Sequence, residues 1–287
     1  MGGVSAGGRA LTFFEGFELS LVDGMRVRVG GSGPVVVLLH GHPRTHTTWW
    51  RVAPLLVDAG FTVVCPDIPG YGESRRTPGQ SKREMAGAVA SLLATLAVGE
   101  FAVVGHDRGS PLAHRLVVDH GARALVVMDG IPIVEHLERC DERFAASWWH
   151  WFFFAQTAKP AEDIINRDPL AWYRVEESAM GAENHADWLR AVQNPDVVRA
   201  MVQEYRAGLR IDRFDEAADR AAGRFVQCPV LCAWSIHDDL EELYGDPLEV
   251  WRPWVEGPLS GVRIDSGHHM AEEAPEELTR ALTAFLS

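Results

Sequence analysis

Five consecutive residues, Gly105-His106-Asp107-Arg108-Gly109, set a carboxylate between two glycines, after the apolar run Phe101–Val104 and before a stretch with helical periodicity. Strand, tight turn and helix, with small residues on either side of one side chain, is the nucleophile-elbow pattern: the chain turns sharply enough to push that side chain into a pocket. A carboxylate there can do what the more familiar serine cannot. It can displace a leaving group from an sp3 carbon to form an alkyl ester, which water then cleaves at the carboxyl carbon; a serine alkylated in the same way becomes an inert ether. Asp107 therefore points to hydrolysis of a carbon–halogen bond or an epoxide. The plainer reading, a carboxylate capping the next helix, leaves the elbow context unexplained.

Hydrolysing such an ester takes a base, an acid to orient it and donors for the oxyanion. The block Ser266-Gly267-His268-His269 offers imidazoles, the side chain best poised to take a proton near pH 7. For the orienting acid, chain order offers Asp129, at the end of the run Ala124–Met128, or Asp238 and Asp239, just past Val230–Trp234. The histidines of His40-Gly41-His42-Pro43-Arg44-Thr45-His46 lack a matching carboxylate constellation, and the chemistry needs no metal, so they read as a loop at a strand end.

These groups need a scaffold that brings strand ends together. Phe17–Leu21 and Met25–Val29 flank Asp23-Gly24 and read as a hairpin. Val35–Leu39, Phe61–Cys65, Phe101–Val104, Ala124–Met128, Val230–Trp234 and Gly261–Asp265 read as strands, alternating with helices near Trp49–Ala59, Lys82–Leu96, Leu112–Val118, Leu248–Val255 and Pro275–Leu286. From Ile131 to about Ala222 the strands stop and the sequence is helix-like and rich in aromatics. The expected architecture is an α/β fold, a mostly parallel sheet covered on both faces: residues 1–130 and 223–287 form the core domain, and 131–222 a helical cap inserted after the strand ending at Asp129.

Bulk properties bound the partners. The chain has 287 residues, 47% of them hydrophobic, and a formal net charge of -13, which argues against nucleic acid or an anionic membrane surface. Met1–Gly8 shows no charged segment followed by an apolar one, and no run approaches the ~20 apolar residues of a membrane span. A cytoplasmic protein with a small-molecule substrate is expected, and a homodimer is the default assembly. Cys65, Cys140, Cys228 and Cys232 have no metal-ligand or disulfide-framework spacing and read as reduced.

From Pro34 onward the ordered landmarks His40–Pro43, Asp67–Gly72, Gly105–Gly109 and Ser266–Pro275 resemble those of α/β-hydrolase-fold enzymes. With the insertion segments Trp149–Trp151, Phe154–Gln156 and Glu204–Gly208, the resemblance narrows to fluoroacetate (haloacetate) dehalogenases, relatives of epoxide hydrolases. It implies a cofactor-free hydrolase that removes halide from a small 2-haloacid. Asp107 would be the nucleophile, His268 rather than its neighbour His269 the base, and Asp129 the orienting acid ahead of Asp238 or Asp239. The backbone N–H groups of His42 and Arg108 would bind the oxyanion. His150, Trp151 and Tyr205 would hold the halide, and an imidazole N–H, an indole N–H and a phenol O–H are the right donors for a desolvated small anion. The pattern departs at one place: the family carries two arginines that clamp the substrate carboxylate, and here Arg108 is present but Pro111 stands at the second position. Arg44 is the candidate replacement cation. An epoxide hydrolase using the same Asp107 and His268 is the alternative, although such enzymes normally use two cap tyrosines. A non-catalytic small-molecule receptor on this scaffold is a third reading, against which the full nucleophile, acid and histidine set argues.

Overall fold

The computed structural model describes residues 12–287, so the expectation drawn from Met1–Gly8 lies outside the described residues. Its strands are β1 (Glu18–Val22), β2 (Met25–Gly31), β3 (Val35–Leu39), β4 (Thr62–Pro66), β5 (Phe101–His106), β6 (Ala124–Met128), β7 (Val230–Ser235) and β8 (Leu259–Ile264). They form one sheet in the order β1-β2-β4-β3-β5-β6-β7-β8, antiparallel at β1/β2 and β2/β4 and parallel elsewhere. The hairpin turns at Asp23 and Gly24, both at positive φ, which suits the twist of the two strands.

The continuous apolar runs become the central strands because both faces of the sheet are covered. Along β3, Val37 and Leu39 pack with Met85 and Val89 of α2 (Lys82–Thr95) and Leu112 and Leu116 of α3 (Gly109–His120). Val36 and Leu38 point the other way, onto Val52 and Leu56 of α1 (Val52–Asp58) and onto Leu278 and Leu282 of the closing helix Pro275–Leu286. Burying each such side chain contributes ~1.5–3 kcal/mol, and a one-residue slip of β3 would forfeit the sorting of its side chains between the two layers. The helix expected from Trp49 is split: a short 3-10 turn covers His46–Trp49 and α1 begins only at Val52, just ahead of Pro54, which cannot donate within a helix interior.

Between β6 and β7 the described chain forms helices from Ile133 to Ala221 and no strand. Its two longest helices are Ala182–Val192 and Pro195–Ala207. Ile133, Phe144, Trp151, Phe154, Val198, Val202 and Tyr205 form a separate hydrophobic cluster there. A buried polar seam ties this cap to the core: Asp187 accepts from Arg26 Nη2 at 2.8 Å and from the Thr45 hydroxyl at 2.7 Å, and the Thr47 hydroxyl donates to Asn184 Oδ1 at 2.7 Å. Among the described residues no helix is long and apolar enough to cross a membrane.

Candidate active site

The C-terminal ends of β3, β5, β6 and β7 converge under the cap, and the elbow lies between β5 and α3. Asp107 sits at φ 50°, a left-handed conformation that a non-glycine residue keeps only when its surroundings impose it. The surroundings here are tight: a Cβ on Gly105 would lie 2.2 Å from the Gly109 carbonyl oxygen, and one on Gly109 would lie 2.3 Å from that of Leu39. The Ser110 hydroxyl, 2.8 and 2.9 Å from the Gly105 and Met128 carbonyls that share its one proton, stitches the turn to the neighbouring strand end.

The two oxygens of Asp107 face different partners. Oδ1 accepts the His42 N–H at 2.6 Å, and Oδ2 lies 3.8 Å from His268 Nε2. Gly41 permits this approach, since a Cβ there would stand 2.4 Å from Oδ1. The second expected donor, the Arg108 amide, leads into α3 and makes no hydrogen bond among the described residues.

On its other nitrogen, His268 Nδ1 donates to Asp238 Oδ2 at 2.7 Å, whereas Asp129 Oδ2, the acid placed first by resemblance, is 3.7 Å away. Asp129 is committed elsewhere: its Oδ1 accepts the Ser235 N–H at 2.9 Å and its Oδ2 the Ser235 hydroxyl. Burial pushes the Asp129 carboxyl up to about 7, while the hydrogen bond and charge of His268 hold Asp238 below its ordinary range despite its own burial. Burial alone would lower the His268 ring; the hydrogen bond to Asp238 and the charges of Asp107, Asp238 and Asp129 outweigh it and raise the ring to about 10. Asp239 takes a separate part, accepting the Trp148 indole N–H at 2.7 Å. His106 was not singled out from sequence, yet its Nε2 donates to the His268 carbonyl at 2.7 Å and fixes the loop that carries His268. His269 makes no contact with Asp107; its ring packs edge-on against His268 and His106.

A cavity of about 250 Å³ opens over Asp107, lined among others by His42, Trp148, His150, Trp151, Tyr205 and His268. The expected halide donors are thus gathered on one wall, the His150 and Trp151 rings each 5.7 Å from the Tyr205 ring. Burial holds the His150 imidazole down at about 4 and the Tyr205 phenol well above its usual value, so near neutral pH each presents an uncharged donor. A smaller void beside Asp107 is lined by Arg108, Pro111, Ile131 and Ile133. A larger hollow of about 670 Å³, bounded by Trp50, Arg51 and Pro275, holds no nucleophile–base pair.

The cations differ from expectation. Arg44 does not face the cavity: its Nε and Nη2 donate to the two oxygens of Glu272, both at 3.0 Å, and the pair is buried. A partner so distant in the chain left no local trace in the sequence. Arg108 lines the void, but its Nε lies 2.9 and 3.0 Å from the two oxygens of Glu204, and its guanidinium stacks over Tyr205 and Trp151 at 4.3 and 4.9 Å. Glu204 also pairs with the buried Lys82, a residue that no local motif marks. The histidines of the 40–46 loop have separate partners: His40 Nε2 accepts the Ile68 N–H, His46 Nδ1 meets Asp67, and the His42 ring packs against Tyr205 and Phe154.

A family model described as alpha/beta hydrolase fold matches residues 34–275. The chain is 35% identical to a fluoroacetate dehalogenase from a Burkholderia species, over 96% of this chain and 95% of that protein. It is 28% identical to a soluble epoxide hydrolase from Corynebacterium sp. (strain C12), over 90% and 92% of the two chains. Its structure matches that of a Pseudomonas aeruginosa protein provisionally described as an epoxide hydrolase, with a TM-score of 0.89 and 34% identity over 96% of this chain and 97% of that one.

Proposed function

Because the chain belongs to the α/β-hydrolase-fold family, we propose that it is a hydrolase of carbon–halogen bonds, acting on small 2-haloacids through an ester on Asp107. The observation that carries this reading is the division of labour at Asp107: one oxygen rests on the His42 amide, while the other faces His268 beneath His150, Trp151 and Tyr205. Oδ2 attacks the halogen-bearing carbon; the new C–O bond forms as the C–halogen bond breaks, and the halide leaves with the bonding pair into the three neutral donors. Water then gives a proton to His268 Nε2 and attacks Cγ of Asp107. The negative charge collects on Oδ1, where the His42 and Arg108 N–H groups receive it; collapse expels the hydroxy acid, protonated from His268, and the carboxyl left on Asp107 gives up the second water proton to restore the aspartate. The proposed orienting acid is Asp238, on the strength of its 2.7 Å hydrogen bond, with Asp129 as a second carboxylate behind it.

His268→Gln is the direct test. The variant lacks the base for the second step only, so incubation with bromoacetate should leave one carboxymethyl group on the Asp107 peptide, read by mass spectrometry, with one bromide released per chain. Stoichiometric bromide with an unmodified Asp107 would sink the mechanism. The epoxide-hydrolase reading is favoured by Tyr205, whose phenol stays protonated at the cavity wall and could donate to an opening epoxide oxygen. Against it, Tyr205 is the only tyrosine lining that cavity among the described residues; Tyr71 donates to Glu204, and Tyr173 points at the Met201 sulfur. Faster turnover of styrene oxide than of any haloacetate would reverse the ranking.

A further inference from the structure

We propose that Lys82 supplies the second positive charge of the substrate-carboxylate site, acting through Glu204 rather than by touching the substrate. The inference rests on the 2-haloacid reading. It begins with a residue in an unfavourable place. Lys82 is buried and stands at the first position of α2, next to the Ser81 cap, where the helix dipole already disfavours a cation. It is also one of only two lysines in the chain. Its ammonium pairs with Glu204 Oε1 and donates to the Arg108 carbonyl at 2.8 Å, joining core to cap at the residue that follows the nucleophile.

The charges around Glu204 give the placement a purpose. If Arg108 and Glu204 stood alone, the guanidinium facing the void beside Asp107 would be neutralised and a substrate carboxylate would gain little from it. With Lys82 present, two cations share that one carboxylate. Tyr71 lends Glu204 only a neutral O–H, at 3.2 Å. Asp212 lies close by, its carboxyl pushed up by burial to about 6, and its charge acts on both cations, but it spends Oδ1 on the Lys82 backbone N–H at 2.8 Å and forms no direct ion pair with either. In direct contact, then, two cations stand against one carboxylate, and the donor left over is Arg108 Nη1, the guanidinium nitrogen that Glu204 does not take. Pro111 lines the same void as Arg108 and can donate nothing, while Lys82 and Glu204 stand behind Arg108 rather than in that void, so a second charge has to act through Arg108. An ammonium suits the relay better than a guanidinium, because it can serve a carboxylate and a main-chain carbonyl at once from a compact centre.

Lys82→Met separates this role from a simple tie between cap and core. Affinity is measured by NMR titration with propionate and with propionamide, which match in size and differ in charge, and halide release from chloroacetate is followed in parallel. The variant should bind propionate about tenfold more weakly, with propionamide unchanged to within about twofold, and KM for chloroacetate should rise with little loss of kcat. Equal weakening of both ligands, or no change in their ratio, overturns the proposal, as does a wild-type protein that does not bind propionate. Glu204→Gln tests the same charge count with the opposite sign and should tighten propionate relative to propionamide; a ratio that stays put or falls counts against the proposal even if Lys82→Met does not fold. A wild-type protein that binds propionate selectively, loses that selectivity in Lys82→Met, yet releases no halide would keep the carboxylate site and remove the dehalogenase reading.

Discussion

His268 meets a carboxylate on each of its nitrogens, Asp107 Oδ2 at 3.8 Å and Asp238 Oδ2 at 2.7 Å, with Asp129 Oδ2 at 3.7 Å as a third. These charges raise the ring to about 10 against the opposing effect of burial, so in the resting protein it carries a proton at neutral pH and is no base. That state suits the proposed first step, which needs only a nucleophile. Esterification removes the charge of Asp107, one of the causes that raise the ring, so the imidazole releases its proton at a lower pH once there is an ester to hydrolyse. In single-turnover experiments, ester hydrolysis should therefore climb with pH through an inflection well below 10, while NMR titration of the unreacted protein should place His268 near 10. The same inflection in both states would mean that Asp107 does not govern the ring. Removal of the orienting charge should cost kcat ~10³–10⁴-fold in Asp238→Asn and far less in Asp129→Asn, as measured on the hydrolysis step. The opposite order would return the role to Asp129.

At the scale of elements, what was legible followed local rules. Apolar runs marked the strands buried on both faces, and paired glycines marked the elbow. The choice between Asp129 and Asp238 was not legible, because β6 and β7 are adjacent parallel strands with Met128 opposite Ala233, so both acids emerge at the same end of the sheet. Which one reaches His268 depends on Ser235, whose amide and hydroxyl hold Asp129 back. Lys82 and Glu204 were equally hidden, since the pair joins the start of α2 to a cap helix and leaves no spacing to recognise. That cap helix, Pro195–Ala207, runs into a wider π-turn at Gly208–Asp212, the kind of local irregularity that re-aims side chains near functional sites. The elbow itself gives the sharper test. Gly105→Ala puts a methyl against the Gly109 carbonyl and the Ala113 side chain, so it should lower unfolding stability by about 2–4 kcal/mol in urea melts and abolish the alkylation of Asp107. A variant of native stability would show that the turn has room to relax.

At the scale of the whole molecule, the proposed function divides recognition between the sheet-centred core and the helical insertion. Asp107, the His42 amide and His268 lie on the core, and His150, Trp151, Tyr205 and Glu204 on the helices between β6 and β7. A bound haloacid would bridge them, its halogen against the cap and its carboxylate at Arg108, so the rate should depend on how hard the cap must pull. Fluoride is the poorest leaving group of the halides and the strongest hydrogen-bond acceptor, and its departure therefore draws most on the three cap donors, whereas bromide leaves with little help. Tyr205→Phe removes one O–H and keeps the ring that packs on His42, His150, Trp151 and Phe154. By analogy with the loss of one oxyanion donor, fluoride release from fluoroacetate should fall ~10²-fold or more, while bromide release from bromoacetate should fall less than about tenfold. Wild-type turnover should rank bromoacetate and chloroacetate above fluoroacetate for the same reason. The measurement is the ratio of initial halide-release rates for the two substrates in each protein. If Tyr205→Phe slows both substrates by one factor, Tyr205 positions the substrate rather than receiving the halide, and the leaving-group site must be sought elsewhere on the cavity wall.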